Sequence, residues 1–297
     1  MTTVAVVGTG RMGTAMARSL ARGGSDLVLY NRHPERCAVL ADQVGARVVA
    51  TPSEAAAAAE VAISMLADQP AVEAVWAGPD GLLAGASAGS VLVDMSTVPP
   101  EVIRSFEDAA RERGAGILDA PVSGSVPLAE TGKLTIMVGG EAATLERARP
   151  VFEQLATRVV HIGPLGSGAA MKLSVNTLIF ALNQAIGEAL VLAERAGIDR
   201  AVAYDFFTTS AAGAPYVAYK RDSFVDPEAT PVSFSLALAE KDLGLILELA
   251  DRIGVPMPQA RANLDLVRAA TSRLGADRDA STVAEELRAM AGEGVAG

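Results

Sequence analysis

The stretch Thr3-Val4-Ala5-Val6-Val7-Gly8-Thr9-Gly10-Arg11-Met12-Gly13 decides the fold. Its first five residues form an apolar, β-branched run of strand length, and the apolar spacing from Met12 to Arg22 reads as a helix. Between them Gly8-Thr9-Gly10-Arg11-Met12-Gly13 matches G-x-G-x-x-G. In this setting the first glycine permits a tight turn, the second lets the backbone approach a pyrophosphate, and the third lets helix and strand pack closely. Amides at the helix N-terminus then face the anion. A dinucleotide is the predicted ligand of this loop.

Working outward, Leu27-Val28-Leu29-Tyr30 reads as a second strand and Pro34 to Gly45 as a second helix, which makes a βαβ unit and a parallel sheet. Thr51-Pro52-Ser53-Glu54 reads as a capping box with proline at the first helical position. Val61 to Leu66, Val91 to Asp94, and the runs around Ile117-Leu118, Leu134 to Val138 and Val159 to Ile162 extend the sheet to Gly163. Beyond Gly163 no strand-length β-branched run recurs and helical patterns dominate. The prediction is an α/β protein with a Rossmann-type, doubly wound, mostly parallel sheet over 1–163, followed by an all-α domain over 164–297. One long helix from about Ser167 to Ala196 joins the two, with Gly197 closing it and Asp199 capping the next helix. Later helices are expected over Phe234 to Ile253 and Pro258 to Leu274.

Composition narrows the function classes. With 297 residues, 50% hydrophobic, 28 glycines and only 4% aromatics, the chain is too apolar for disorder and suits closely packed helices and a buried subunit interface. A homodimer or homotetramer is expected. The net charge of −10 opposes binding of nucleic acid or an anionic membrane over the whole surface, so any phosphate site is local. The single cysteine, Cys37, forms no intrachain disulfide, and no Cys/His cluster offers a metal cage. Met1-Thr2-Thr3 leads straight into an apolar run with no basic segment, so the expectation is a cytoplasmic protein. The apolar stretch Leu173 to Ala193 contains Asn176, Asn183, Gln184 and Glu188, which argues against a membrane span.

The end of the second strand carries Asn31-Arg32-His33 instead of the acidic residue that takes both ribose hydroxyls of NAD. A carboxylate there repels a 2′-phosphate, a guanidinium binds it bidentately, and Asn still bonds a hydroxyl. NADP(H) is therefore expected over NAD(H), with NAD possible. FAD and S-adenosylmethionine prefer an acidic residue at this place, so Asn31-Arg32 counts against both.

Hydride transfer to a carbonyl needs a proton donor. His33 belongs with the adenosine end and His161 sits at a strand end, so a lysine is considered. The chain holds four lysines, Lys133, Lys172, Lys220 and Lys241, against 21 arginines, so each lysine calls for a reason. Lys172 lies early on the long helix between Met171 and Leu173, where partial desolvation would bring its ammonium toward neutrality and suit it to general acid/base work. Asn176, four residues on, shares its face. The pattern alone equally allows a snorkelling lysine at a helix start and an Asn that bonds a neighbouring helix.

Four blocks together resemble the β-hydroxyacid dehydrogenases, a family that includes 3-hydroxyisobutyrate dehydrogenase and the glyoxylate/succinic semialdehyde reductases. They are the loop Gly8 to Gly13, the run Asp119-Ala120-Pro121-Val122-Ser123-Gly124-Ser125, the run from Gly166 through Lys172 to Asn176, and Lys241-Asp242-Leu243. The resemblance covers essentially the whole chain. It implies that Lys172 is the general acid in reduction and the base in oxidation, with Asn176 on the same substrate oxygen. Ser123 and the Gly124 amide would hold a small substrate's carboxylate. Thr97 would lie near the nicotinamide, Met65 and Leu66 along the cofactor, and Lys241 over it. Asp242 would support the site, with Phe234 as an apolar wall. Absence of the Asp that NAD-using members carry at the place of Asn31 moves the chain toward the semialdehyde reductases. Imine reductases share the scaffold but lack the lysine, so Lys172 favours carbonyl or alcohol chemistry. A non-catalytic dinucleotide-binding protein is a further alternative, against which Lys172, Asn176 and Ser123 all count.

Overall fold

The computed structural model describes residues 2–292, and backbone contacts divide the chain into two compact units between Lys172 and Leu173. The first is built on β1 (Thr3–Val7), β2 (Asp26–Tyr30), β3 (Arg47–Val48), β4 (Val61–Ser64), β5 (Val91–Asp94) and β6 (Gly116–Asp119), followed by β7 (Val122–Ser123), β8 (Leu134–Gly140) and β9 (Ala156–Gly163). Six parallel strands lie in the order β3-β2-β1-β4-β5-β6, and the sheet continues through β8 to β7, with β9 also pairing with β8. The strand order therefore reverses between β1 and β4, and the carboxyl ends of those two strands flank the crevice where such sheets bind ligands.

Alternation along β1 sends Val4 and Val6 to one face and Ala5 and Val7 to the other. Val4 and Val6 pack with Leu20, Leu29, Ile63 and Val93, while Ala5 and Val7 join Trp76, Leu92 and Phe106 on the opposite face. Both faces are thus covered, which explains why the central strands read as unbroken apolar runs instead of alternating ones. Each fully buried Val or Leu contributes about 1.5–3 kcal/mol, before the entropy cost of ordering it.

Two details of this unit refine the expected mostly parallel sheet and capping box. The last part of the sheet is mixed: β8 runs antiparallel to β6 and β7, then parallel to β9. The Thr51 hydroxyl accepts from the Glu54 N–H at 3.0 Å as expected, but the Glu54 carboxylate returns to the N–H of Ala50, one residue before the cap.

The long helix spans Ser167–Arg195, and Leu173 and Phe180 on it pack against Leu236, Leu243 and Ile246 of the helix Leu236–Ile253 and Leu264 and Val267 of the helix Pro258–Leu274. Further along, Ile186 and Leu190 join Tyr204, Phe224 and Ala284. By length and composition alone this helix could cross a membrane. Two of its polar residues, Asn176 and Asn183, are buried inside the helical unit: Asn183 donates to the Ala280 carbonyl at 2.9 Å and accepts from the Tyr216 hydroxyl at 2.8 Å. The expected start of the next long helix at Phe234 moves to Leu236, because Ser235 is the cap, accepting from the Leu238 N–H, and pairs as an isolated β-bridge with Asp279.

Candidate active site

The glycine loop leaves β1 through a left-handed Gly8 (φ +104°), whose N–H donates to the Tyr30 carbonyl at 2.9 Å. A Cβ on Gly13 would collide with the Gly8 carbonyl oxygen, so this position is closed to any side chain. A Cβ on Gly10 would meet nothing within 4 Å. The loop is therefore tight where it packs and open where a pyrophosphate has to lie, which is the test a dinucleotide cradle must pass. Gly10 caps the helix Arg11–Arg22 without a side-chain bond, and no acidic residue occupies its first turn. The positive end of the helix dipole is left for an anion.

Thr9 and Asn31 act on the loop itself. The buried Thr9 hydroxyl accepts from Asn31 Nδ2 at 2.9 Å and lies 3.6 Å from the Cys37 thiol, while Asn31 Oδ1 accepts from the His33 N–H at 3.0 Å. Asn31 thus ties the end of β2 to the glycine loop. Alongside runs a cavity of about 440 Å³, whose lining includes Gly8, Gly10, Asn31, Arg32, Met65 and Leu66. Arg36, in the first turn of the helix that follows Arg32, also lines it, as do Asp68 and Asp80. The sequence reading missed Arg36, because a lone arginine on a helix looks like an ordinary surface charge. His33 is exposed, 3.6 Å from Glu35, at the cap of the helix Pro34–Val44, and its ring makes no cap hydrogen bond.

At the end of β5 a buried carboxylate organises the neighbouring turns. Asp94 Oδ1 accepts from the Ser64 hydroxyl at 2.6 Å and the Ser96 hydroxyl at 2.8 Å. Ser64 in turn accepts from the Trp76 indole N–H, and the Ser96 oxygen accepts from the Leu66 N–H. Met65 and Thr97, expected along the cofactor, sit in the chain next to members of this network, and Leu66, expected there too, belongs to it. Burial pushes the Asp94 carboxyl up to about 6, against the lowering effect of the two serine hydroxyls. Sequence inspection placed Asp94 only as a strand terminus.

Asp119 ends β6, and the chain continues through Pro121 into β7, where Ser123 is half-buried opposite Thr135 of β8 and Gly124 follows in a left-handed conformation at the surface. The Asp119 carboxylate accepts from the N–H groups of Gly166 at 2.7 Å and Ala169 at 2.6 Å. Burial raises this carboxyl, opposed by those N–H groups. Lys172, half-buried, lies three residues after Ala169 on the same helix.

In the helical unit Asn176 is buried and donates through Nδ2 to Asp242 Oδ2 at 2.8 Å, while Lys241 Nζ lies 2.9 Å from Asp242 Oδ1. Asp242 therefore fixes the Asn176 amide, which keeps a second N–H and its carbonyl for another partner. Phe234 packs 6.1 Å, ring centroid to centroid, from Phe180. Its N–H donates to Asp279, whose carboxylate also receives Lys220 Nζ at 2.6 Å and the Ser233 and Ser281 N–H groups. Burial acts to raise Asp279, but the ammonium and these donors hold it down at about 2. Burial lowers Lys220 in turn, against the pull of the carboxylate. Lysine scarcity thus has a partial answer: Lys220 is a buried structural partner, Lys241 pairs with Asp242, and Lys133 is exposed. Among the described residues no group of three or more His, Cys, Asp or Glu is placed to hold a metal.

A glycine loop open at Gly10 and a cavity at the sheet's switch point define a dinucleotide-binding protein. Residues 3–163 match the family described as the NAD binding domain of 6-phosphogluconate dehydrogenase, and 166–287 match the NAD-binding domain of NADP-dependent 3-hydroxyisobutyrate dehydrogenase. The chain is 36% identical over 265 residues to a 3-hydroxyisobutyrate dehydrogenase of Pseudomonas aeruginosa, covering 87% of this chain and 88% of that one. It is 33% identical over 285 residues to glyoxylate/succinic semialdehyde reductase 1 of Arabidopsis thaliana, covering 96% and 98%. The crystal structure of a 3-hydroxyisobutyrate dehydrogenase from Salmonella typhimurium superposes with a TM-score of 0.87 at 29% identity, covering 96% of this chain and all of that one. The protein is an NAD(P)-dependent oxidoreductase. It belongs to the β-hydroxyacid dehydrogenase family.

Proposed function

We propose that this protein is an NADP(H)-preferring oxidoreductase that interconverts a small hydroxy acid and its semialdehyde or aldehyde, with Lys172 as the general acid in reduction and the general base in oxidation. The observation that carries the reading is the placement of Lys172 within a turn of the helix start that Asp119 holds, while the same chain stretch runs on from Asp119 to Ser123 and Gly124. This supports a reading in which a proton donor and a carboxylate receptor share one scaffold.

When bound, the nicotinamide supplies or accepts the hydride. The chain's own residues do the rest. Ser123 Oγ–H and the Gly124 N–H hold the substrate carboxylate, which fixes the reacting carbon. Lys172 Nζ delivers a proton to the oxygen as negative charge develops there, a role worth roughly 10²–10⁴-fold in rate. Asn176, oriented by Asp242, donates to the same oxygen. The family resemblance assigns Phe234 to the apolar side of the site and Lys241 and Thr97 to the cofactor.

The glycine loop from Gly8 to Gly13 would hold the pyrophosphate, and Met65 and Leu66 would pack beside it. Arg32 supports NADP(H) over NAD(H), and Arg36 on the same cavity strengthens that preference by supplying a second guanidinium for a 2′-phosphate. Exposed Leu178 and Leu192 on the long helix, with Val202 and Phe206 on the next, support association with a second copy of the chain, in a homodimer or a homotetramer. The reading takes the protein as cytoplasmic, with no nucleic-acid or membrane partner.

The test is oxidation of NADPH and, separately, NADH with glyoxylate, succinic semialdehyde, methylmalonate semialdehyde and tartronate semialdehyde. Turnover of at least one aldehyde, with kcat/KM at least tenfold higher for NADPH, is expected. Preference for NADH would remove the cofactor assignment. Tight NADPH binding without turnover of any aldehyde would remove the hydroxy-acid assignment.

A further inference from the structure

The run Asp119 to Gly124 carries more than a carboxylate receptor. Asp119 is 1% exposed, and its two oxygens accept N–H bonds from residues 47 and 50 positions later in the chain, at the start of the helix that bears Lys172. A buried carboxylate without such donors would cost several kcal/mol, so these bonds hold the helix start firmly in one place. The packing around them leaves no slack. A Cβ on Gly168 would lie 2.7 Å from the Asp119 carbonyl oxygen and 3.0 Å from Oδ2, and it would also strike the Met137 carbonyl. A Cβ on Gly139, the residue paired with Asp119 across β6 and β8, would strike Oδ1 and lie 2.8 Å from the Gly168 nitrogen. Arg104 secures the preceding turn through its bond to the Leu165 carbonyl at 2.9 Å.

Sheet register completes the linkage. β8 pairs with β6 at Asp119↔Gly139 and with β7 at Ser123↔Thr135, so the helix anchor and the Ser123 hydroxyl are set from the same strand. We propose that Asp119 is a positioning residue for the reaction: its carboxylate sets the reach of Lys172 relative to the Ser123–Gly124 receptor. This inference rests on the reading of Lys172 as the proton donor.

The experiment compares wild type, Asp119→Asn and Lys172→Ala as full-length enzymes, using NADPH and whichever aldehyde the wild type reduces. NADPH fluorescence titration counts sites per chain and gives Kd, and kcat and KM are measured in H₂O and in D₂O. Asn keeps one acceptor and presents an N–H where the second is needed. Asp119→Asn should retain one NADPH site per chain with Kd within about twofold, while kcat falls roughly 10- to 100-fold, the scale of a misplacement near 1 Å. Its solvent isotope effect on kcat should exceed that of wild type, because proton delivery becomes slower. If Asp119→Asn loses NADPH binding, Gly168→Ala crowds the same contact from the helix side and should give the same kcat and isotope signature. A wild-type kcat and isotope effect in Asp119→Asn, with turnover abolished in Lys172→Ala, would overturn the positioning role and leave the lysine reading intact. Loss of kcat only in proportion to lost NADPH sites would also overturn it. Turnover that survives Lys172→Ala would overturn the lysine reading itself.

Discussion

The two units treat buried acids in opposite ways. In the α/β unit Asp94 is held by two serine hydroxyls and Asp119 by two backbone N–H groups, and burial raises both carboxyls. In the helical unit Asp242 and Asp279 each face a lysine, and Asp279 is held at about 2. The difference follows from what each acid organises. At the edge of the sheet the acids fix backbone turns next to a site for anions, and there the positive charges, Arg32 and Arg36, line the cavity. A lysine spent on Asp94 or Asp119 would be one fewer for the ligand. In the helical unit Asp279 ties Lys220 to the Ser233–Phe234 segment and Asp242 ties its neighbour Lys241 to Asn176 of the long helix, and the charges cancel where they sit.

Asp279→Asn has the largest expected effect. It leaves the Lys220 ammonium buried without its counter-charge, and urea unfolding should show a loss of about 3–5 kcal/mol. A loss below about 1 kcal/mol would mean that the pair contributes little and the contrast is one of geometry alone.

Asp94 gives the next largest effect, and it depends on pH. Its carboxyl rises from about 4 in the unfolded chain to about 6 in the fold, so the folded protein binds the proton more tightly. The resulting stabilisation is complete below about pH 4 and is lost as pH rises through about 6, an amount of roughly 3 kcal/mol for a rise of that size. Asp94→Asn removes this titration. Unfolding free energies of wild type and variant, measured from about pH 4.5 to 8, should converge or cross in the variant's favour as pH rises. A constant difference across that range would contradict the assignment.

Arg32→Ala probes the cationic cavity from the ligand's side. Loss of one guanidinium from a 2′-phosphate should weaken NADPH binding by about 1.5–3 kcal/mol, the range for a hydrogen bond to a charged group, and leave NADH within about twofold. Equal weakening of both cofactors would place Arg32 on the pyrophosphate or on the loop itself.

How much of this was legible in the sequence depends on distance along the chain. The strand, loop and helix from Thr3 to Arg22 were readable because every determinant lies within twenty residues and each glycine answers a local demand. The same holds for Gly197 and Asp199 at the end of the long helix, since caps are local features. Phe234 was placed inside a helix because its apolar spacing fits one. It lies instead in a bend before the helix, where its N–H donates to Asp279, 45 residues away. The antiparallel direction of β8 was equally hidden, because it is set by pairing at Leu118↔Gly140 and Asp119↔Gly139. Asp119 itself appeared only as the first letter of a motif. Its bonds to Gly166 and Ala169 exist only once β6, β8 and the helix start have come together.

The proposed proton transfer by Lys172 leaves cofactor binding to the rest of the scaffold. The most direct measurement is kcat for the preferred aldehyde alongside the NADPH Kd in Lys172→Ala. A fall in kcat of about 10²–10⁴-fold, with Kd for NADPH within about twofold of wild type, is the predicted result. A variant that binds NADPH normally and still turns over at more than about a tenth of the wild-type rate would contradict it.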